Sequence, residues 1–234
     1  MTEEVKAAHV EEDDHLNSDY KLKSYWDNRF EAEDQYDWLV KFNEIQPYIV
    51  PKMTSKEAKI LIVGCGNSTF SADLYDFGYK NITNIDFSEV CIARMQQKHT
   101  TLRPEMTWVT MDMTELLFND QEFDIVIDKA SMDALLVDEG DVWDPEESTI
   151  SLVDKMCAGI SQVLKPGGLF LQITFAQTHF RTKYLMASHV LKSEVSPFGS
   201  LKGHCDRYNW TLEYDSVNPT TGCIHYYIYH MIKG

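Results

Sequence analysis

Two neighbouring segments carry residues whose types and spacing suit chemistry. The apolar run Lys59-Ile60-Leu61-Ile62-Val63 ends in Gly64-Cys65-Gly66-Asn67-Ser68, and the next apolar run, Asn81-Ile82-Thr83-Asn84-Ile85, ends in Asp86. This pattern predicts a strand feeding a tight turn and a helix, then a parallel strand with a carboxylate at its carboxyl end. Glycines let backbone amides approach a ligand closely, and the first turn of the helix offers free N–H groups. A carboxylate in that position accepts both hydroxyls of a ribose. The expected ligand is an adenosine-containing cofactor, and these residues leave open which one.

The elements that position these residues follow from hydrophobic periodicity. Strands are predicted at 59–63, 81–85, 106–110, 123–127 and 168–174, and helices at 68–77, 88–98, 148–164 and 179–192. Ile60-Leu61-Ile62-Val63 and Phe123-Asp124-Ile125-Val126-Ile127 are nearly continuous in apolar residues, as strands covered on both faces require. Alternating strands and helices specify βαβ units and a parallel sheet. The carboxyl end departs from this rhythm. Trp210–Tyr214 and Ile224–Tyr229 flank Asn218-Pro219-Thr220-Thr221-Gly222, which reads as an antiparallel hairpin with a longer loop. Upstream of the core, Tyr25-Trp26-Asp27-Asn28-Arg29-Phe30 and Tyr36-Asp37-Trp38-Leu39, with Phe42 and Ile45, have helical spacing that stops near Pro47 and Pro51. The expected organisation is an acidic, disordered tail over 1–19 and one domain over 20–234. Within that domain, 20–55 is a helical amino-terminal cap and 56–234 the core.

Composition narrows the function classes. The formal net charge of −16 lacks the basic face a nucleic-acid binder needs, and it suits a basic protein partner. No apolar run approaches the roughly 20 residues that span a bilayer, so no membrane association is expected. Neither a secretory nor a mitochondrial leader pattern is visible, and a cytoplasmic location is expected. The five cysteines are scattered and form no C-x-x-C pair, which argues for reduced thiols and no metal site.

Taken together, Gly64-x-Gly66, Asp86, Asp112, Asp128-Lys129, Lys165-Pro166-Gly167-Gly168 and the final hairpin resemble the class I, seven-stranded methyltransferases that use S-adenosylmethionine. Three segments sharpen the resemblance: Tyr25-Trp26-Asp27-x-Arg29-Phe30 with Tyr36-Asp37-Trp38, Asp128-Lys129-Ala130-Ser131-Met132-Asp133-Ala134-Leu135, and His179-Phe180-Arg181-Thr182. They are similar to the small eukaryotic lysine methyltransferases that modify translation elongation factor 1A. A branch that methylates citrate synthase in mitochondria shares the Asp-Lys-x-x-x-Asp-Ala pattern and ranks second.

The resemblance implies a Rossmann-like, doubly wound seven-stranded α/β sheet, mostly parallel, with a carboxyl-terminal antiparallel hairpin and a helical amino-terminal extension. It implies S-adenosylmethionine as cofactor and elongation factor 1A as the basic protein substrate. Gly64 and Gly66 would pass under the methionine and ribose. Asp86 would hold the ribose, Phe87 would lie on the adenine face, and Asp112 and Met113 would meet the adenine edge. Trp26, Phe30 and Trp38 would fold over the cofactor, and Lys129 would touch it. Asp128 and Asp133 are the candidates to line the acceptor pocket, the alternative for Asp133 being a solvated helix acid. Ile62 stands where an acid often precedes the first glycine, so the cofactor's ammonium needs another acceptor: the Gly64 carbonyl, helped by Asp128. No catalytic base is assigned. The rival readings are a nicotinamide-dependent oxidoreductase, disfavoured because Thr69 replaces the third glycine of G-x-G-x-x-G, a small-molecule methyltransferase, and an adaptor that keeps the fold without activity.

Overall fold

Alternation along the strands divides the core into two layers. In β1 (Ile60–Val63), Ile60 and Ile62 join one buried cluster while Leu61 and Val63 join the other. Successive strand side chains point to opposite faces, so a run apolar at every position is buried on both. The computed structural model describes residues 17–53, 55–188, 203–218 and 225–234. On one face of the sheet lie α2 (Phe42–Ile49), α3 (Phe70–Asp76) and α4 (Glu89–His99), whose Ile45, Ile49, Leu74 and Met95 pack with Ile60 and Ile62. The other face is covered by α6 (Glu147–Val163), which buries Val153, Met156, Cys157, Ile160 and Val163 as a helical stripe.

The sheet runs β3-β2-β1-β4-β7-β10-β9-β8. Here β2 is Ile82–Asp86, β3 Thr107–Thr110, β4 Phe123–Lys129, β7 Leu164–Thr174, β8 Gly203–Cys205, β9 Trp210–Val217 and β10 Tyr226–Lys233. The first five strands in this order are mutually parallel, and β10, β9 and β8 pair antiparallel. Strand order reverses between β1 and β4, where Val63 lies opposite Asp128. A crevice therefore opens beyond their carboxyl ends, the place where such sheets hold ligands.

The expected α/β sheet and closing hairpin are present, with eight strands in place of seven. The eighth, β8, is a three-residue edge strand paired with Trp210–Leu212 through a tight turn, too short to carry a readable period. Smaller differences have local causes. The helix expected at 179–192 is α7 (Thr178–Leu185), closed by Met186 and by Ala187 at φ 50°, and 189–192 lie outside the described residues. α2 passes through Pro47 and gives way to a 3-10 turn over Val50–Lys52. Asn17–Lys21 forms a 3-10 helix leading into α1 (Lys23–Ala32), so residues 17–19 of the expected tail are helical, while 1–16 lie outside the described residues. The hairpin loop at 219–224 also lies outside them. Also without a sequence signal are α5 (Ser131–Leu135) and a small hairpin of β5 (Gly140–Asp141) and β6 (Asp144–Pro145). No helix among the described residues is long and apolar enough to cross a membrane.

Candidate active site

A cleft of about 800 Å³ opens over the carboxyl ends of the parallel strands. Its floor is the turn after β1. Gly64 and Gly66 take φ of 59° and 53°, the left-handed region that side chains disfavour. A Cβ on Gly64 would sit 2.1 Å from Ser131 Oγ. That hydroxyl donates to the Val63 and Gly64 carbonyls at 3.0 Å each, so the turn and α5 are locked together. Gly64→Ala is accordingly expected to cost about 2–4 kcal/mol from backbone strain plus overpacking. A urea unfolding midpoint within error of the parent protein would refute this.

Asp86, at the end of β2, borders the cleft next to Phe87. One carboxylate oxygen accepts the Gly66 N–H and the other the Ser88 N–H, each at 3.0 Å. Burial raises its pKa to about 6 against the pull of these two bonds. Each oxygen retains a further lone pair, so the carboxylate can still accept a pair of hydroxyls. Cys65 and Cys91 bring their sulfurs within 4.8 Å of this carboxylate, and both thiols are buried with raised pKa values. Beyond β3, Asp112 and Met113 also line the cleft. Asp112 holds its loop in shape by accepting the Thr114 N–H and Oγ1, both at 2.8 Å.

The cap forms the roof. Trp26, Phe30 and Trp38 line the cleft, with Trp26 and Phe30 stacked at 5.6 Å. The Arg29 guanidinium lies 4.9 Å from the ring centroids of both Tyr36 and Trp38. Specific bonds anchor this roof to the floor. The Asp37 carboxylate accepts from Ser68 Oγ, from the Thr69 N–H at 3.1 Å and from Thr69 Oγ1 at 3.2 Å. Asp27 accepts from Ser88 Oγ, the cap of α4. Lys129, at the end of β4, donates to the Trp38 carbonyl at 2.7 Å. Burial pulls its pKa down to about 8, opposed by Asp37 and Asp128. Sequence reasoning passed over Asp37 and Ser131. Asp37 sat inside a quoted motif, but its partners are about thirty residues away and only the fold reveals them.

Of the residues expected at the cofactor, Asp128 alone does not border the cleft. The β-pleat turns it away from Lys129, and it is fully buried. There it accepts the Ser131 N–H at 2.8 Å and Gln172 Nε2 at 3.2 Å, capping α5. Burial, with Asp133 nearby, raises its pKa to about 6. It lies beneath the floor, tied to α5 and to Gln172 of β7. Asp133 does border the cleft, at the end farther from Asp86, and is ion-paired with Arg181 of α7.

The hairpin of β5 and β6 edges that same end through Glu139 and Val142. Glu139 turns inward to Lys183, at 3.2 Å, and to the Tyr184 hydroxyl. Asp138, Asp141, Asp144 and Glu146 remain at the surface around Trp143, which is 77% exposed and stacks on His179.

Comparison with known proteins adds a second line of support. Residues 60–168 match the family model "Methyltransferase domain". The chain is 32% identical over 221 residues to mouse EEF1A lysine methyltransferase 4, spanning 93% of this chain and 78% of that protein. It is 36% identical over 195 residues to human eEF1A lysine and N-terminal methyltransferase, 82% of this chain but 24% of that longer protein. Among solved structures, it is similar to magnesium protoporphyrin IX methyltransferase from Synechocystis with bound SAM, at a TM-score of 0.57 and 14% identity over 95% of this chain and all of that one. A [4+2]-cyclase matches at 0.58 and 14% identity, covering 92% of this chain and 93% of that one. At these identities the structural matches show the fold alone.

Proposed function

The chain belongs to the eEF1A lysine methyltransferases, and from that premise we propose that it transfers a methyl group from S-adenosylmethionine to a lysine of translation elongation factor 1A. The observation that carries this reading is the joining, in one cleft, of a glycine floor, the Asp86 carboxylate and an aromatic roof, with the cleft continuing past them to a second charged end. The donor set fits the cofactor. Asp86 has acceptor capacity for two ribose hydroxyls, the glycine turn lets the chain lie close under the ligand, and Phe87 with Met113 offers apolar surface for adenine. Trp26, Phe30 and Trp38 cover the ligand, and Lys129 borders the same space. The Gly64 carbonyl, already accepting from Ser131, is the acceptor available for the ammonium. The nicotinamide alternative falls with the family assignment.

When bound, S-adenosylmethionine would supply an electrophilic methyl to the lysine Nζ lone pair, with its sulfur keeping the electron pair of the C–S bond. The protein's task is to align and dehydrate, since a sulfonium leaves readily. A lysine amine near pKa 10.4 is mostly protonated at neutral pH and must lose its proton first. Transfer into a largely apolar cleft disfavours the ammonium and assists that loss. The Lys129 amine is held by the Trp38 carbonyl and so stays out of the acceptor's path.

The surface acids of the small hairpin give a basic protein a landing site beside the cleft mouth. Neutralising Asp138, Asp141, Asp144 and Glu146 together should lower kcat/KM for the protein substrate about tenfold at low salt, with the gap closing as salt rises. Cofactor affinity should not change. Equal loss of both would discard the steering role. The function itself is tested by incubating the protein with labelled S-adenosylmethionine and purified elongation factor 1A, then mapping the label by mass spectrometry. An unlabelled factor beside another labelled protein in whole lysate would refute the substrate and keep the enzyme class.

A further inference from the structure

Beside the glycine turn, two thiols meet the carboxylate that ends β2. Cys65 stands in the turn after β1 and Cys91 in the first turn of α4, and both are buried together with Asp86. Their sulfurs and a carboxylate oxygen all lie within 4.8 Å of one another. Three separate elements supply these groups, so no short spacing along the chain announces them. Asp86 meets one N–H at each oxygen and keeps a lone pair on each. Both thiols titrate above their usual range, so they are protonated at neutral pH. The trio is reached from the cofactor cleft, which Cys65 and Asp86 border. On its other side Cys91 borders a second cavity of about 280 Å³, lined also by Phe30, Arg94 and Met95.

We propose that Cys65, Asp86 and Cys91 form a binding site for one thiophilic divalent cation of the Zn²⁺ and Cd²⁺ class, and that this cation and the adenosine cofactor exclude one another at Asp86. The cation site stands on the trio itself, and only the exclusion rests on the reading of Asp86 as the ribose acceptor. Tetrahedral zinc, with Zn–S bonds of about 2.3 Å and a Zn–O bond of about 2.1 Å, holds such ligands about 3.6–3.8 Å apart. The trio therefore has to contract by no more than about 1.2 Å, which small side-chain movements supply. Two sulfurs select a soft or borderline cation over Mg²⁺ and Ca²⁺, which take oxygen ligands. Coordination turns two S–H groups into thiolates and releases two protons to solvent, with no change of oxidation state. The dication offsets two of the three ligand charges, and the Arg94 guanidinium near Cys91 offsets the third. A solvent molecule from the cleft completes the tetrahedron. With one oxygen given to the cation, Asp86 no longer accepts a pair of hydroxyls.

The direct test titrates the whole chain, kept metal-free and reduced with a phosphine, with Cd²⁺ while following thiolate-to-cadmium charge transfer in the ultraviolet. The band should saturate at one equivalent, and Cys91→Ser and Cys91→Ala should each weaken Cd²⁺ at least about 100-fold. Without metal, both variants should keep S-adenosylhomocysteine affinity within about twofold, which shows that the fold survives. Cd²⁺ binding as tight in both variants as in the parent would overturn the site. This arm uses no cofactor, so it is judged apart from the methyltransferase reading. Exclusion is read by calorimetry. Free Zn²⁺ at about ten times its Kd should weaken S-adenosylhomocysteine about elevenfold in the parent and leave Cys91→Ser unchanged. Mg²⁺ at the same concentration should have no effect. An affinity indifferent to Zn²⁺, or lowered equally by Mg²⁺, would overturn the exclusion.

Discussion

Asp86→Ala is expected to weaken S-adenosylhomocysteine binding about 100- to 1,000-fold, because two charge-assisted hydrogen bonds worth about 1.5–3 kcal/mol each are lost. The same carboxylate shapes the turn through the Gly66 and Ser88 N–H groups, so part of the loss comes from a less ordered floor. Its titration offers a second, independent readout. In the free protein burial raises the pKa of Asp86 to about 6. Ribose hydroxyls bond the ionised form and lower that pKa in the complex. Binding therefore releases a proton below pH 6, and affinity should fall about tenfold for each pH unit below that point and level off above pH 7. For the stability of the free protein the sign is opposite. A carboxyl with a raised folded-state pKa stabilises the fold at low pH, and that contribution is lost as pH rises from about 4 through 6. Calorimetric titrations between pH 5 and 8 would test the binding limb. A flat profile would remove Asp86 from the ribose site.

Asp37→Ala should release the roof without unfolding the sheet. Three hydrogen bonds from Ser68 and Thr69 converge on this one carboxylate, and the two hydroxyls and one N–H contribute about 2–4 kcal/mol together to docking the cap. The sheet core does not depend on them: Ile60, Ile62, Leu74 and Met95 pack on one another regardless. The expected result is a cofactor affinity about 30- to 300-fold weaker, with faster amide exchange across residues 17–53 and unchanged exchange in β1, β4 and β7. Slowly exchanging cap amides combined with full affinity would show that the aromatic packing alone holds the roof.

Much of the architecture was legible because it rests on local chemistry. Ile60–Val63 and Phe123–Ile127 are apolar at nearly every position, and only a strand covered on both faces satisfies such a run. Gly64, Gly66 and Asp86 were legible because a tight turn and a strand-end carboxylate are short-range features whose spacing is set by one βαβ unit. What escaped was short or non-local. β8 and α5 are three and five residues long and have no period to read. The burial of Asp128 beneath the floor was not legible either, because the pleat sends it and its cleft-facing neighbour Lys129 to opposite sides.

The sequence by itself determined the parallel sheet, the glycine turn with its distant acid and the resemblance that points to a methyl donor, since each depends on residue type and separation along the chain. Only the tertiary structure decided which groups meet across long separations: Asp37 with Ser68 and Thr69, Lys129 with Trp38, and Asp133 with Arg181. The reason is geometric. A carboxylate's partner is chosen by where the packed layers bring donors within about 3 Å of it, and no local pattern encodes that distance.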